Sequence, residues 1–435
     1  MIKEPCNHML PIISVGIVSR PHVHFNCTGP YRLIETGDIW HGNGDVSCRD
    51  GRLWLGRQAF DALLFEPCSA DSCFELYDVT IGKQFHWQRN ETQIFDGALK
   101  LLPDGSNVVA INVVDAETYL KSVIASEMCA TAMPELLRAH AVISRSWLLA
   151  PILQPHESLS AVTEQLSADT IVRWYERDTH TLFDVCADDH CQRYQGRKWS
   201  GNTAVAEAVE HTRGMVLMYD GVICDARFSK SCGGVSERFE SCWSDVPHAY
   251  LQPVRDAEDD SVSDLTQEAQ ADAWIRSTPN AFCNTTDPEL LRQVLNNYDR
   301  ECTDFYRWQV RYTQAQLSTL VRCRSGIDFG RVDALIPLQR GASGRITLLK
   351  IVGSHRTLTV GKELEIRKWL SNTHLRSSAF VVDRTTSGDF ILTGAGWGHG
   401  VGLCQIGAAV MASKGYTYEA ILQHYFRKAE LRRLY

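Results

Sequence analysis

Short apolar or alternating runs, broken by Gly, Asn and Asp, fill the first quarter of the chain. Ile13–Val18, Arg52–Leu55 and Thr80–Trp87 have the length and residue types of strands, and Val108–Val114 adds another. The period then changes at once. Asp115 stands where a helix N-cap should, and Leu120, Val123 and Ile124 recur on one helical face. A second helix is predicted from Pro134, a favoured first-turn residue with Glu135 beside it, to about Leu149. Residues 171–200 are polar and rich in Cys, His and aromatics. Asp256–Asp264 carries five acids in nine residues and reads as a solvated loop. Residues 265 to about 325 look helical and charged. Strand patterns return at Ile346–Val352 and Phe380–Val382, before a Gly-rich segment and two short helices. The expected class is α+β. The expected division is a β-rich region at 1–105, a core with the chemistry-bearing helix at 106–254, a helical insertion at 255–340, and the rest of the core at 341–435.

Composition narrows the function classes. The 435 residues are 44% hydrophobic and 22% charged, enough for a sizeable core without cross-links. A net charge of −8, from 44 basic and 52 acidic residues, lacks the basic footprint of a nucleic-acid binder. No run approaches the roughly 18 apolar residues of a membrane span. The run Leu10–Val18 is short, contains Pro11 and ends in Ser19-Arg20 rather than a small-residue cleavage site. It reads as a first strand, not a signal peptide. Fifteen cysteines, an odd number, read mainly as reduced, buried thiols.

Three features carry candidate chemistry. Glu127 lies seven residues after Leu120, four after Val123 and three after Ile124, which puts it on the apolar helical stripe. Burial there would favour the neutral acid and raise its pKa, as a group that protonates a glycosidic leaving oxygen requires. The plainer alternative is a helix-end Glu that reaches solvent or pairs with an Arg. Arg145 on the next helix is such a partner, or equally a group that orients substrate.

The second feature is His180, Cys186, His190 and Cys191, two imidazoles and two thiols within twelve residues. They suit a closed tetrahedral Zn²⁺ site, structural because no position is left for water. A Cys186–Cys191 disulfide, or two unrelated thiols, is the alternative.

The third is Gly394–Ala408. No register in it satisfies G-x-G-x-x-G, and no Walker Lys follows, so phosphate cradling is rejected. Trp397 is placed to stack on a sugar face, and His399 and Gln405 to bond hydroxyls; a tight turn packed on the core explains the glycines as well. In Phe228–Glu237, Ser229 and Ser231 lack a G-x-S-x-G elbow and read as substrate-facing hydroxyls of a turn.

Taken in order, these segments resemble the SpoIID/LytB domain of stage II sporulation protein D and the related amidase enhancers. The marks are Ile111-Asn-Val-Val, Tyr119-Leu-Lys-Ser-Val, Ser126-Glu-Met, Glu135–Arg145, Ser231-Cys-Gly-Gly and Gly396–Ala408. The last is the most specific. The resemblance covers about 105–250 and 340–435. Cys404 stands where the family more often has Ser, and Arg145-Ser-Trp where Arg-Thr-Tyr is usual.

The resemblance implies a bacterial, sporulation-related, cell-wall protein. It implies a lytic transglycosylase acting on peptide-stripped peptidoglycan strands, with Glu127 as acid and base and 1,6-anhydro-N-acetylmuramic acid ends as product. It also supports zinc at the Cys/His cluster. A non-catalytic role, binding glycan and stimulating a cell-wall amidase, is the alternative it carries. A zinc hydrolase is weaker, because a ligand would have to leave. The implied substrate places the protein in the cell envelope or periplasm, although no signal peptide is evident.

Overall fold

The computed structural model describes residues 10–435 apart from 83–87, 130, 155–162, 176–179, 189, 200, 262 and 295–303. The chain forms two compact units, and the class is α+β.

The first unit comprises the described residues up to Arg145, those of 177–215, and Arg433–Tyr435. Its frame is an eleven-stranded sheet among the described residues. In sheet order its main path runs Val185–Cys186, Ile12–Arg20, Asn107–Asp115, Ala98–Asp104, Leu63–Pro67, His22–Leu33, Ile39–Arg49, Arg52–Leu55 and Gln58–Phe60. Cys73–Ile81 pairs with His22–Leu33 and carries Arg89–Phe95 at its side. The expected strands at 13–18, 52–55 and 108–114 are present. The one expected at Thr80–Trp87 is the end of Cys73–Ile81, and 83–87 lie outside the described residues. Alternation puts Val15, Phe25, Phe65, Phe74 and Leu101 inside, each fully buried. Phe74 and Phe95 stack at 5.3 Å, Phe95 and Tyr194 at 6.0 Å, and Tyr194 and Tyr119 at 5.1 Å. This column of rings joins the sheet to the first helix.

Helix α1 spans Ala116–Glu127 and α2 spans Pro134–Leu153. The α1 cap is as the sequence suggests. Asp115 Oδ1 accepts from the backbone N–H groups of Glu117 and Thr118, both at 3.0 Å. Helix α2 starts at Pro134 as expected but runs four residues past Leu149, with Pro151 in its final turn.

The second unit comprises described residues of 146–176 and 216–432. The insertion is not purely helical. Helices Glu268–Arg276, Pro288–Val294 and Gln314–Ser325 do form, but Arg307–Tyr312 and Val332–Arg340 are strands. Arg307–Tyr312 pairs with Phe390–Ala395, and Val332–Arg340 with Ile346–Gly353, so the segment shares sheets with the C-terminal part. The physical reason is burial. Trp308 from the first strand and Val332 and Leu335 from the second join a core with Phe329, Trp369 and Phe380. The acidic stretch also departs from expectation: Glu258, Asp259 and Asp260 are exposed, but Asp256 is completely buried.

Arg145 occupies the centre of the first unit with no solvent exposure. Its Nε and Nη2 donate to the two oxygens of Glu117 at 2.9 and 2.6 Å, and Nη1 donates to the Met215 carbonyl at 3.0 Å. Glu117 also accepts from the Tyr435 hydroxyl at 2.6 Å and the Gly214 N–H at 3.3 Å. Arg145→Ala would strand a buried carboxylate, so a loss of about 3–5 kcal/mol is expected in urea unfolding. A loss under about 1 kcal/mol would show that the pair does not hold the unit together.

Candidate active site and metal centre

The two ends of α1 hold glutamates in opposite situations. Glu117, in the first turn, is enclosed and fully engaged. Glu127, the last helical residue, is half-buried. Among the described residues no hydrogen bond or ion pair engages its carboxylate. The stripe that predicted its burial is real, since Leu120, Val123 and Ile124 are fully buried. The helix stops at Glu127, however, and Met128 turns away in an extended conformation with ψ 154°. The next turn that would cover the carboxylate is missing, so the expected full burial is corrected to partial. Nor is Arg145 its partner, because that guanidinium is closed around Glu117.

The surroundings of Glu127 come from the segment after the Cys/His cluster. The Gln195 N–H donates to the buried Ser122 hydroxyl of α1 at 3.0 Å. Lys198 donates to Gln195 Oε1 at 2.5 Å. Desolvation lowers the Lys198 pKa and Arg193 lowers it further, while Glu127 is among the acids that oppose the shift. A narrow cleft in this unit is lined by Thr80, Gln93, Cys186, Asp188, Arg193 and Gln195. Both amide atoms of Gln93 and the Nε2 of Gln195 are buried there without a partner among the described residues. Such groups are costly unless something bonds them. Sequence reasoning missed Gln93, Gln195 and Lys198; the polarity of 192–198 was the only local signal for the last two, and Gln93 had none.

The Cys/His residues do come together. One donor atom from each of His180, Cys186, His190 and Cys191 lies within 4.8 Å of the others. Cys191 Sγ is 3.5 Å from His180 Nε2 and 3.6 Å from His190 Nδ1, and Cys186 Sγ is 3.9 Å from His190 Nδ1. Ligands about 2.0–2.3 Å from a tetrahedral zinc would stand roughly 3.3–3.8 Å apart, so the donor set and spacing fit. Hydrogen bonding from Cys191, then His190, pulls the Cys186 thiol down to about 3. The Cys186 N–H donates to Cys191 Sγ at 3.4 Å, a supporting contact on a ligand sulfur. Local folding sets this up. Strand Val185–Cys186 lies parallel to Ile12–Arg20, and a Cβ at Gly16 would stand 2.5 Å from the Phe183 ring.

The remaining candidates lie in the second unit. Strands Phe228–Ser229 and Leu403–Cys404 pair in parallel, and Ser231 bridges Trp397. Gly396, Gly398, Gly400 and Gly402 all have φ between 72° and 91°, so every second residue needs glycine. The buried Arg345 fits against this ribbon, donating to the Gly398 carbonyl at 3.0 Å and the Cys232 carbonyl at 3.1 Å. A Cβ at Gly400 would stand 2.4 Å from its guanidinium. The expected sugar-facing side chains are largely covered. Ser229, Ser231 and Gln405 are buried. Trp397 is half-buried between Phe305, at 4.9 Å, and the Arg376 guanidinium, at 5.3 Å. His399 Nδ1 accepts from the Val401 N–H at 3.0 Å, and its ring meets Trp243 at 4.9 Å.

The family described as Stage II sporulation protein matches residues 104–219, and a domain of unknown function (DUF8618) matches residues 237–402. An uncharacterised protein of Brachyspira hyodysenteriae is 26% identical over 77% of this chain and 71% of its own length. The Amidase enhancer of Bacillus subtilis is 27% identical over 60% of this chain but only 37% of its own. Stage II sporulation protein D of Bacillus amyloliquefaciens is 23% identical over 74% of this chain and 75% of its own.

Burial holds His399 well below the ordinary imidazole range, with Arg227, Arg345 and Arg367 adding repulsion. Desolvation lowers His374 and His424 to about 4 each. Above about pH 6.5 each is neutral in both folded and unfolded chains. Below it the unfolded chain takes up protons that the folded unit refuses. Stability of this unit should therefore fall from about pH 6.5 towards pH 4, by up to about 1.4 kcal/mol per pH unit for each histidine. Thermal melts between pH 7.5 and 5 test this. His399→Asn should remove its share of the slope and leave that of His374 and His424, and a wild-type profile flat across that range would contradict it.

Proposed function

The chain carries a SpoIID/LytB-family domain, and we propose that this domain cleaves peptidoglycan glycan strands as a lytic transglycosylase. The observation that carries the proposal is the contrast along α1. Glu117 is consumed by structure, whereas Glu127 is carried on the same helix, half-exposed and without a hydrogen-bond or ion-pair partner among the described residues. A group that must gain and lose a proton on a substrate needs that freedom.

Glu127, in its acid form, donates a proton to the oxygen linking C1 of N-acetylmuramic acid to N-acetylglucosamine. The C1–O bond breaks with an oxocarbenium-like transition state. The muramic acid 6-hydroxyl then bonds to C1, and its proton passes to Glu127. The acid is regenerated, a 1,6-anhydro end is left, and no water is consumed. The Gln93 amide and the Gln195 Nε2, which have no partner among the described residues, are suited to bonding sugar hydroxyl and acetamido groups. We assign His180, Cys186, His190 and Cys191 to a structural Zn²⁺, which would hold the chain segment that presents Gln195 and Lys198.

The second reading is an amidase enhancer that binds glycan without cutting it. The likeness to the Bacillus subtilis Amidase enhancer favours it, although that protein is matched over little more than a third of its length.

Mass spectrometry of denuded strands after incubation separates the two. Wild type should release anhydro-ended fragments, and Glu127→Gln should lower the rate about 10²–10⁴-fold with stability unchanged within about 0.5 kcal/mol. Binding by wild type with no product would overturn the enzyme and leave the enhancer. For the metal, a chelator should lower the melting temperature of the first unit. Cys186→Ser/Cys191→Ser should remove one zinc per chain. Unchanged metal content in that variant would refute the assignment.

A further inference from the structure

Cys232, Asp256, Cys283 and Cys404 meet in the interior of the second unit, with exposures of 2%, 0%, 1% and 0%. One ligand atom from each lies within 4.8 Å of all the others. We propose that these four residues form a second zinc site, with three thiolates and one carboxylate, separate from the Cys/His cluster.

Geometry favours a metal over a cross-link. Cys232 Sγ and Cys283 Sγ are 3.8 Å apart. Two thiolates about 2.3 Å from one tetrahedral zinc stand roughly 3.8 Å apart, whereas a disulfide needs about 2.05 Å. The supporting contacts are those of ligands. The Cys232 N–H donates to Cys404 Sγ at 3.3 Å, and the Gly234 N–H to Cys232 Sγ at 3.4 Å. Asp256 is oriented by the Tyr425 hydroxyl at 2.6 Å and the Cys283 N–H at 2.9 Å. Those partners leave each carboxylate oxygen a free lone pair. A Cβ at Gly407 would stand 2.4 Å from Asp256 Oδ1, so glycine there leaves room for the carboxylate.

Charge supplies an independent reason. Asp256 is completely buried, and among the described residues no Lys, Arg or His forms an ion pair with it. A buried carboxylate without a cation is expensive, and a divalent cation bound there would offset part of that cost. The four ligands come from separate stretches: the Ser-Cys-Gly-Gly turn, the acidic stretch, the loop at Phe282–Cys283 and the end of the Gly-rich ribbon. The metal would tie the inserted segment to that ribbon, which gives the insertion a structural purpose.

The test uses the full chain purified without chelator. Cys186→Ser/Cys191→Ser empties the first cluster, so any remaining zinc reports the second. Elemental analysis should find one zinc per chain in that variant. X-ray absorption should show three sulfurs and one oxygen around it. Adding Cys283→Ser should remove it. A folded double variant with no zinc would overturn the proposal. So would a Cys232–Cys283 disulfide in the natively alkylated wild type. Should the double variant fail to fold, wild type decides. Two zincs per chain with roughly two and a half sulfurs each, or one zinc with three sulfurs, support the site; one zinc with two sulfurs, or none, refutes it. None of these readouts depends on glycan cleavage.

Discussion

The buried pair between Arg145 and Glu117 is the contact on which the first unit depends. It links α1 to α2, reaches the Met215 carbonyl, and draws in the Tyr435 hydroxyl from the last residue of the chain. A charge pair without solvent exposure survives only when nearly all its hydrogen-bonding capacity is met. Here six bonds to the two side chains do so at 2.6–3.4 Å. The consequence reaches the far end of α1. With the helix anchored at Glu117, Glu127 sits at its far end with no hydrogen bond or ion pair to its carboxylate among the described residues.

This division between two glutamates was only half legible in the sequence. The apolar period identified α1, and the Asp115 cap gave its start. The same period placed Glu127 on the buried stripe, because spacing describes a helix that continues. The helix ends there instead, and the end exposes the side chain. The Glu117–Arg145 pair joins residues on different helices, so no local pattern announced it. Arg145 thus looked available to Glu127 or to substrate.

Local chemistry was readable where it was contiguous. The two Cys and two His at 180–191 lie in one short stretch, and they do converge. The ligands of the second proposed metal site are scattered over more than 170 residues, and Asp256 sat inside an acidic run that looked solvated. The pairing of Phe228–Ser229 with Leu403–Cys404 and the bridge between Ser231 and Trp397 bring Cys232 and Cys404 together across the fold. The insertion misled for a related reason. Its charged helices are real, but Trp308, Val332 and Leu335 enter a shared core, and strand partners distant in sequence are invisible to periodicity. The Gly-rich segment is explained by backbone shape: four alternate glycines at positive φ let a buried Arg345 close on the ribbon.

The central claim is that Glu127 performs both proton transfers and that the muramic acid 6-hydroxyl, not water, ends up on C1. Cleavage of denuded strands in ¹⁸O-labelled water tests it most directly, read by the mass of the new muramic acid end. The account expects an end that carries no label and is one water lighter than a hydrolysed one. Incorporation of ¹⁸O at that end would show a hydrolase and contradict it.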